Sequence, residues 1–94
     1  IKYIEVIMKS VSVIDIKKRL DNDKNFKIID VREEWEYNIG IIDGSVKIPL
    51  SRLTQEYLNL DKSKDYGVIC HSGVRSLQAG SFLSSLGFSV LNVE

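Results

Sequence analysis

Ninety-four residues contain a single cysteine, a single histidine and a single proline. One cysteine cannot close an intrachain disulfide, and one cysteine with one histidine cannot supply the four protein ligands of a structural zinc site. No metal site and no disulfide scaffold is expected. An excess of one charge is lacking too. Lys plus Arg number 13 and Asp plus Glu number 13, so no net field draws the chain to nucleic acid or to an anionic membrane. Long apolar runs are also missing. "GII" at 40–42 and "GVI" at 67–69 fall far short of the ~20 residues that span a bilayer. The N-terminal "IKYIEVIMKS" carries a glutamate and lysines where a signal peptide needs unbroken apolar residues. These absences predict a cytoplasmic protein with neither nucleic-acid nor membrane partners. No repeat, low-complexity tract or linker divides the chain, and its length suits one domain.

Ile1 cannot be an initiator, whereas Met8 can. Residues 1–8 are therefore read as an N-terminal extension and residues 9–94 as the domain. "VSVIDIKKRL" places Val13, Ile16 and Leu20 on one face of a short helix, with Ser12 as N-cap and Asp15 at the capping-box position. "FKIID" reads as a strand buried on both faces. "EEWEYNIG" suits one or two helical turns closed by Gly40 in the left-handed conformation, with Trp35 and Tyr37 as packing residues. "SVKIP" is a second short strand ended by Pro49, after which Ser51 can cap a helix in "SRLTQEYL". "YGVIC" is again a strand. Ala79, Phe82, Leu83 and Leu86 make one apolar stripe on the helix that follows, Gly87 stops it, and "FSVLNV" is the last strand. Strands alternating with helices imply an α/β fold, a mainly parallel sheet with helices on both faces.

The cysteine and the histidine are neighbours in "VICHSGVRS", residues 68–76. Cys70 ends a predicted strand immediately before a predicted helix, where open parallel sheets present their ligand sites. His71, Ser72, Gly73 and Val74 supply consecutive backbone N–H groups that can wrap an anion, and the positive end of the following helix aims the same way. A thiolate there should be favoured by those dipoles. Arg75 adds a permanent cation, although a cation in a first helical turn works against the helix dipole and so calls for another reason. Ser76 is a first-turn hydrogen bonder. Residues 71–76 are thus the candidate substrate-binding loop and Cys70 the candidate nucleophile. Adjacent residues of an extended segment point to opposite sides, so His71 is read as an entrance residue and not as the thiol's base. A lone cysteine at the end of a buried strand is more often inert filler; the clustering of glycine, arginine and helix start around Cys70 reverses that expectation. Asp30 and Arg32 are read as a local ion pair tying strand to loop.

The order "IIDVREEWEYNIGIIDGSVKIPL" then "VICHSGVRSLQAGSFLSSLGFSVLNV" resembles the single-domain rhodaneses, a family of sulfurtransferases, over roughly residues 11–94. The family's Asp-x-Arg element is here Asp30-Val31-Arg32, and its Cys-x-x-Gly-x-Arg-Ser loop is complete from Cys70 to Ser76. Its Gly-His-Ile-x-Gly-Ala element is Gly40-Ile41-Ile42-Asp43-Gly44-Ser45, with Ile41 for the histidine and Ser45 for the alanine. Altered packing near the sheet edge is expected from those changes, with activity kept. The resemblance implies a three-layer rhodanese-like domain with the active-site loop between a central strand and the next helix. It also implies a further helix, after a paired glycine, that would lie beyond Glu94. By resemblance, Cys70 takes a sulfane sulfur from a donor such as thiosulfate, keeps it as a persulfide, and passes it to cyanide or a thiol, which a protein can carry. No cofactor is required. Two other readings stay open. Cysteine phosphatases and arsenate reductases place five residues between cysteine and arginine, where this loop has four, and an idle rhodanese fold can serve as a binding module.

Overall fold

The computed structural model describes residues 10–71 and 73–93. Among these residues, five strands form one parallel sheet: β1 (Ser10–Val11), β2 (Phe26–Asp30), β3 (Val46–Lys47), β4 (Asp65–Ile69) and β5 (Ser89–Val93), in the order β1-β5-β4-β2-β3. The central strand is β4, paired with β2 on one side and β5 on the other. Helix α1 (Val13–Asn22) packs Ile16 on one face of the sheet against Phe26, Ile28 and Val93. Helices α2 (Leu53–Glu56) and α3 (Val74–Ser85) cover the other face, where Leu53, Ala79 and Leu83 meet Ile29, Val31 and Val68. This is the expected three-layer α/β arrangement. Buried residues alternate between the two faces along β2, which is why "FKIID" carries apolar residues in succession. Among the described residues no helix is long and apolar enough to cross a membrane.

Local signals account for most of the elements. Ser12 caps α1, its Oγ accepting from the Asp15 N–H at 3.2 Å. Gly87, at φ 93°, closes α3. Three readings change. Gly40 ends a 3₁₀ turn over Glu34–Ile39, but at φ 143° and ψ 153° it occupies an extended positive-φ conformation open essentially to glycine alone, and not the left-handed helical one. Ser51 does not cap a helix: the segment after Pro49 is a series of short turns around α2, and the Ser51 hydroxyl instead donates to Glu33 Oε2 at 3.2 Å. Trp35 is 69% exposed and so is not a packing residue. Strand β1 carries no local signal, since among the described residues its partner is β5, at the far end of the chain.

Gly67 in the middle of β4 is required by close approach. A Cβ there would lie 2.9 Å from Phe26 Cζ, 3.2 Å from Ile28 Cδ1 and 3.3 Å from Val93 Cγ2. The Phe26 ring has little room to retreat, because the Arg19 guanidinium sits 4.4 Å from its centroid. Gly67→Ala is expected to cost about 1–3 kcal/mol through overpacking. A thermal melt matching that of the parent protein would contradict it.

Candidate active site

Cys70 is the first residue to leave the central strand. The Ile69 carbonyl accepts from the Val31 N–H at 3.1 Å, so the end of β4 is still tied to the chain leaving β2. Three residues later Gly73 adopts φ 86° and ψ −11°, the left-handed conformation that only glycine takes without strain. That reversal aims backbone donors at the sulfur. The N–H of Gly73 donates to Cys70 Sγ at 3.0 Å and the N–H of Ser76 donates to it at 3.3 Å. Beneath the sulfur, Ser76 is fully buried, with Oγ 3.4 Å from Cys70 Sγ.

The other predicted site residues take different places. His71 is exposed and lines an open cavity of about 410 Å³ with Arg32, Gly40, Ile41, Ile42, Ile69 and Cys70. Ile41 and Ile42 therefore make the mouth of this cavity partly apolar. Val74 opens α3 and is 61% exposed. Ser72 lies outside the described residues. Arg75 turns to Glu36, its Nη1 donating to Oε2 at 2.5 Å and its Nη2 to Oε1 at 2.6 Å. Asp30, fully buried, receives the Arg32 backbone N–H at 3.0 Å and the Arg32 Nη2 at 2.8 Å. Arg32 also donates to the carbonyls of Glu36 and Gly40, which clamps the 3₁₀ turn against the end of β2. The Tyr37 hydroxyl, pushed up to about 12 chiefly by burial, stays protonated and donates to the Asp30 carbonyl at 3.1 Å.

The sequence pattern of the Rhodanese-like domain matches residues 12–94. The chain belongs to this family. A Bacillus subtilis protein named as a sulfurtransferase, YtwF, is 36% identical over 87 residues, which cover 93% of this chain and 84% of that protein. A Schizosaccharomyces pombe protein named as a mitochondrial thiosulfate sulfurtransferase is 32% identical over 105 residues, covering 92% of this chain and 74% of that one. Among solved structures, a rhodanese-related protein of Thermoplasma volcanium superposes with a TM-score of 0.85 at 37% identity, over 92% of this chain and 83% of its own.

Glu36 is one residue beside this candidate site that the sequence did not mark. The available signal was Arg75 itself, a cation placed against a helix dipole; its reason is a carboxylate 39 residues away. Hydrogen bonds from Arg75 hold Glu36 down to about 2 from an ordinary value of 4.5, against the opposing effect of burial and with help from the Glu33 N–H. Glu36 in turn holds Arg75 above the usual guanidinium value. A carboxylate with a depressed folded-state value adds stability that is present above its unfolded value and is lost as pH falls through the folded one. Glu36 therefore contributes fully at neutral pH, and that contribution disappears between about pH 4.5 and about pH 2. Urea unfolding across this window should show a steeper loss of stability for the parent protein than for Glu36→Gln. Parallel curves would mean that the pair is not linked to folding.

Proposed function

We propose that Cys70 is a sulfur carrier: it accepts a sulfane sulfur from a donor such as thiosulfate and passes it to cyanide or to a thiol, including one carried by a protein. Sulfur transfer in general is supported by the family and by the relatives named for it. The observation that carries the finer reading is the pair of N–H groups at Cys70 Sγ, from Gly73 and Ser76, at the mouth of an open cavity. Fixed donors of this kind favour an anionic sulfur without reorganising during the reaction. In the first half, the thiolate attacks the outer sulfur of the donor. A new S–S bond forms, the donor's own bond to that sulfur breaks, and its electron pair leaves with sulfite when the donor is thiosulfate. The enzyme is left as Cys–S–S⁻. In the second half, the acceptor attacks the outer sulfur and the pair returns to Cys70 as thiolate. Two displacements through one covalent intermediate imply ping-pong kinetics and need no metal or organic cofactor. A cysteine used in this way must stay reduced, so the cytoplasm is the proposed place of action.

Loop length favours this reading over phosphate chemistry. Four residues lie between Cys70 and Arg75, where cysteine phosphatases have five, and a shorter loop suits one sulfur atom better than a phosphoryl group with three oxygens. The test is thiocyanate formation from thiosulfate and cyanide, run beside phosphate release from an aryl phosphate. The expected result is thiocyanate without phosphate, and a protein that gains the mass of one sulfur atom on donor treatment and loses it to cyanide. A folded protein that gains no sulfur and resists alkylation would instead be an idle binding module.

A further inference from the structure

The last strand places a polar side chain where its neighbours are apolar. Asn92 on β5 is 5% exposed and lies opposite Ser10 of β1 and Val68 of β4. Its Oδ1 accepts from Ser76 Oγ at 2.6 Å, and its Nδ2 donates to Ser10 Oγ at 3.4 Å. Ser76 Oγ is in turn the group under the sulfur, 3.4 Å from Cys70 Sγ, with the Gly73 carbonyl as a second acceptor at 3.1 Å. A continuous line of polar atoms thus runs from the thiol through Ser76 and Asn92 to an exposed hydroxyl at the sheet edge.

A hydroxyl has one proton to give. In the arrangement described it goes to Asn92, so Ser76 accepts from the Cys70 S–H. That polarity suits the neutral thiol. A thiolate has no proton to donate, and beside the N–H groups of Gly73 and Ser76 it would face a lone pair of the Ser76 oxygen, so the hydroxyl turns to donate to sulfur as well. Turning would leave Asn92 Oδ1 buried without its donor, which is costly. An amide avoids the penalty by rotating half a turn about its Cβ–Cγ bond, which exchanges the places of oxygen and nitrogen. Nδ2 then donates to Ser76 Oγ, Oδ1 accepts from Ser10, and every member keeps a partner.

We infer that Asn92 is a positioning residue for Cys70, a two-way link that lets the Ser76 hydroxyl accept from the thiol and donate to the thiolate. The inference rests on the reading of Cys70 as the sulfur carrier, whose cycle passes through both kinds of sulfur. No proton crosses the chain. Ser76, Asn92 and Ser10 each keep their own hydrogens, and the thiol proton leaves to solvent at the mouth. A leucine at this position cannot stabilise the turned hydroxyl, and Ser76 then falls back on the Gly73 carbonyl, away from sulfur. An aspartate keeps the acceptor and loses the donor.

The experiment is the pH dependence of Cys70 alkylation by iodoacetamide in the parent protein, Asn92→Leu and Ser76→Ala, and in the double variant, with Asn92→Asp measured alone and with Ser76→Ala as a second route should Asn92→Leu not fold. Asn92→Leu is expected to shift the profile upward, which lowers the alkylation rate below the midpoint by about threefold to tenfold. In the Ser76→Ala background the same substitution should shift it little, because the link is already cut. Asn92→Asp should likewise act more strongly with Ser76 present than without it, whereas a through-space charge effect would persist in both. An unchanged profile, or shifts of equal size in the two backgrounds, overturns the inference. The readout is the thiol and not sulfur transfer. A coupled shift in a protein that makes no thiocyanate would therefore keep this inference and defeat the sulfur-carrier reading, and thiocyanate turnover with no shift would do the reverse.

Discussion

Cys70→Ser is expected to lower sulfur transfer from thiosulfate to cyanide by at least about 10³-fold while leaving the melting curve close to that of the parent protein. The chemical part follows from the nucleophile. A serine hydroxyl is not ionised near neutral pH and forms no persulfide, so both displacements lose their shared covalent intermediate. The structural part follows from the surroundings of the sulfur. Cys70 is only partly buried, and its contacts with the N–H groups of Gly73 and Ser76 and with the Ser76 hydroxyl are ones that an oxygen can also make. The change should cost no more than about 1 kcal/mol. The assay is thiocyanate release, with circular dichroism and thermal unfolding on the same preparation. Wild-type turnover by the serine variant would place the sulfur carrier elsewhere, and a variant that no longer folds would make the thiol a packing residue.

The strand, loop and helix around Cys70 were legible because each rests on near neighbours: an apolar run for β4, a glycine that can turn left-handed at position 73, and a stripe at helical spacing in α3. What was not legible depends on contacts between distant parts of the chain. Among the described residues, strand β1 is two residues long and pairs with β5. Arg75 meets Glu36 at a sequence separation of 39, and Asn92 meets Ser76 at a separation of 16. No periodicity marks such pairs, since the partners belong to different elements. "EEWEYNIG" shows the same limit within one segment. Its helical tendency was readable, yet the burial of Glu36 and the exposure of Trp35 invert what hydrophobicity suggests. The inversion arises because the turn is held by charged side chains, Arg32 from below and Arg75 from α3, more than by apolar packing.

Asp30→Ala is accordingly expected to destabilise the domain by about 3–5 kcal/mol, a large share of the 5–15 kcal/mol typical of a folded domain. The Asp30 side chain is completely buried and the Arg32 side chain is 15% exposed, so solvent screens this pair little. Removing the carboxylate takes the counter-ion from Arg32 and leaves its Nε without an acceptor, while Nη1 and Nη2 keep the carbonyls of Glu36 and Gly40. The damage should reach the site, because the clamped turn carries Glu36 and Glu36 holds Arg75. Replacing both partners, as in Asp30→Leu with Arg32→Leu, removes the stranded charge and should recover part of the loss. Urea unfolding of the two single variants and the double variant reads this directly. A single-variant cost below about 1 kcal/mol would give the pair the energetics of a surface salt bridge. Full additivity would show that Asp30 and Arg32 stabilise the turn through other neighbours and not through each other.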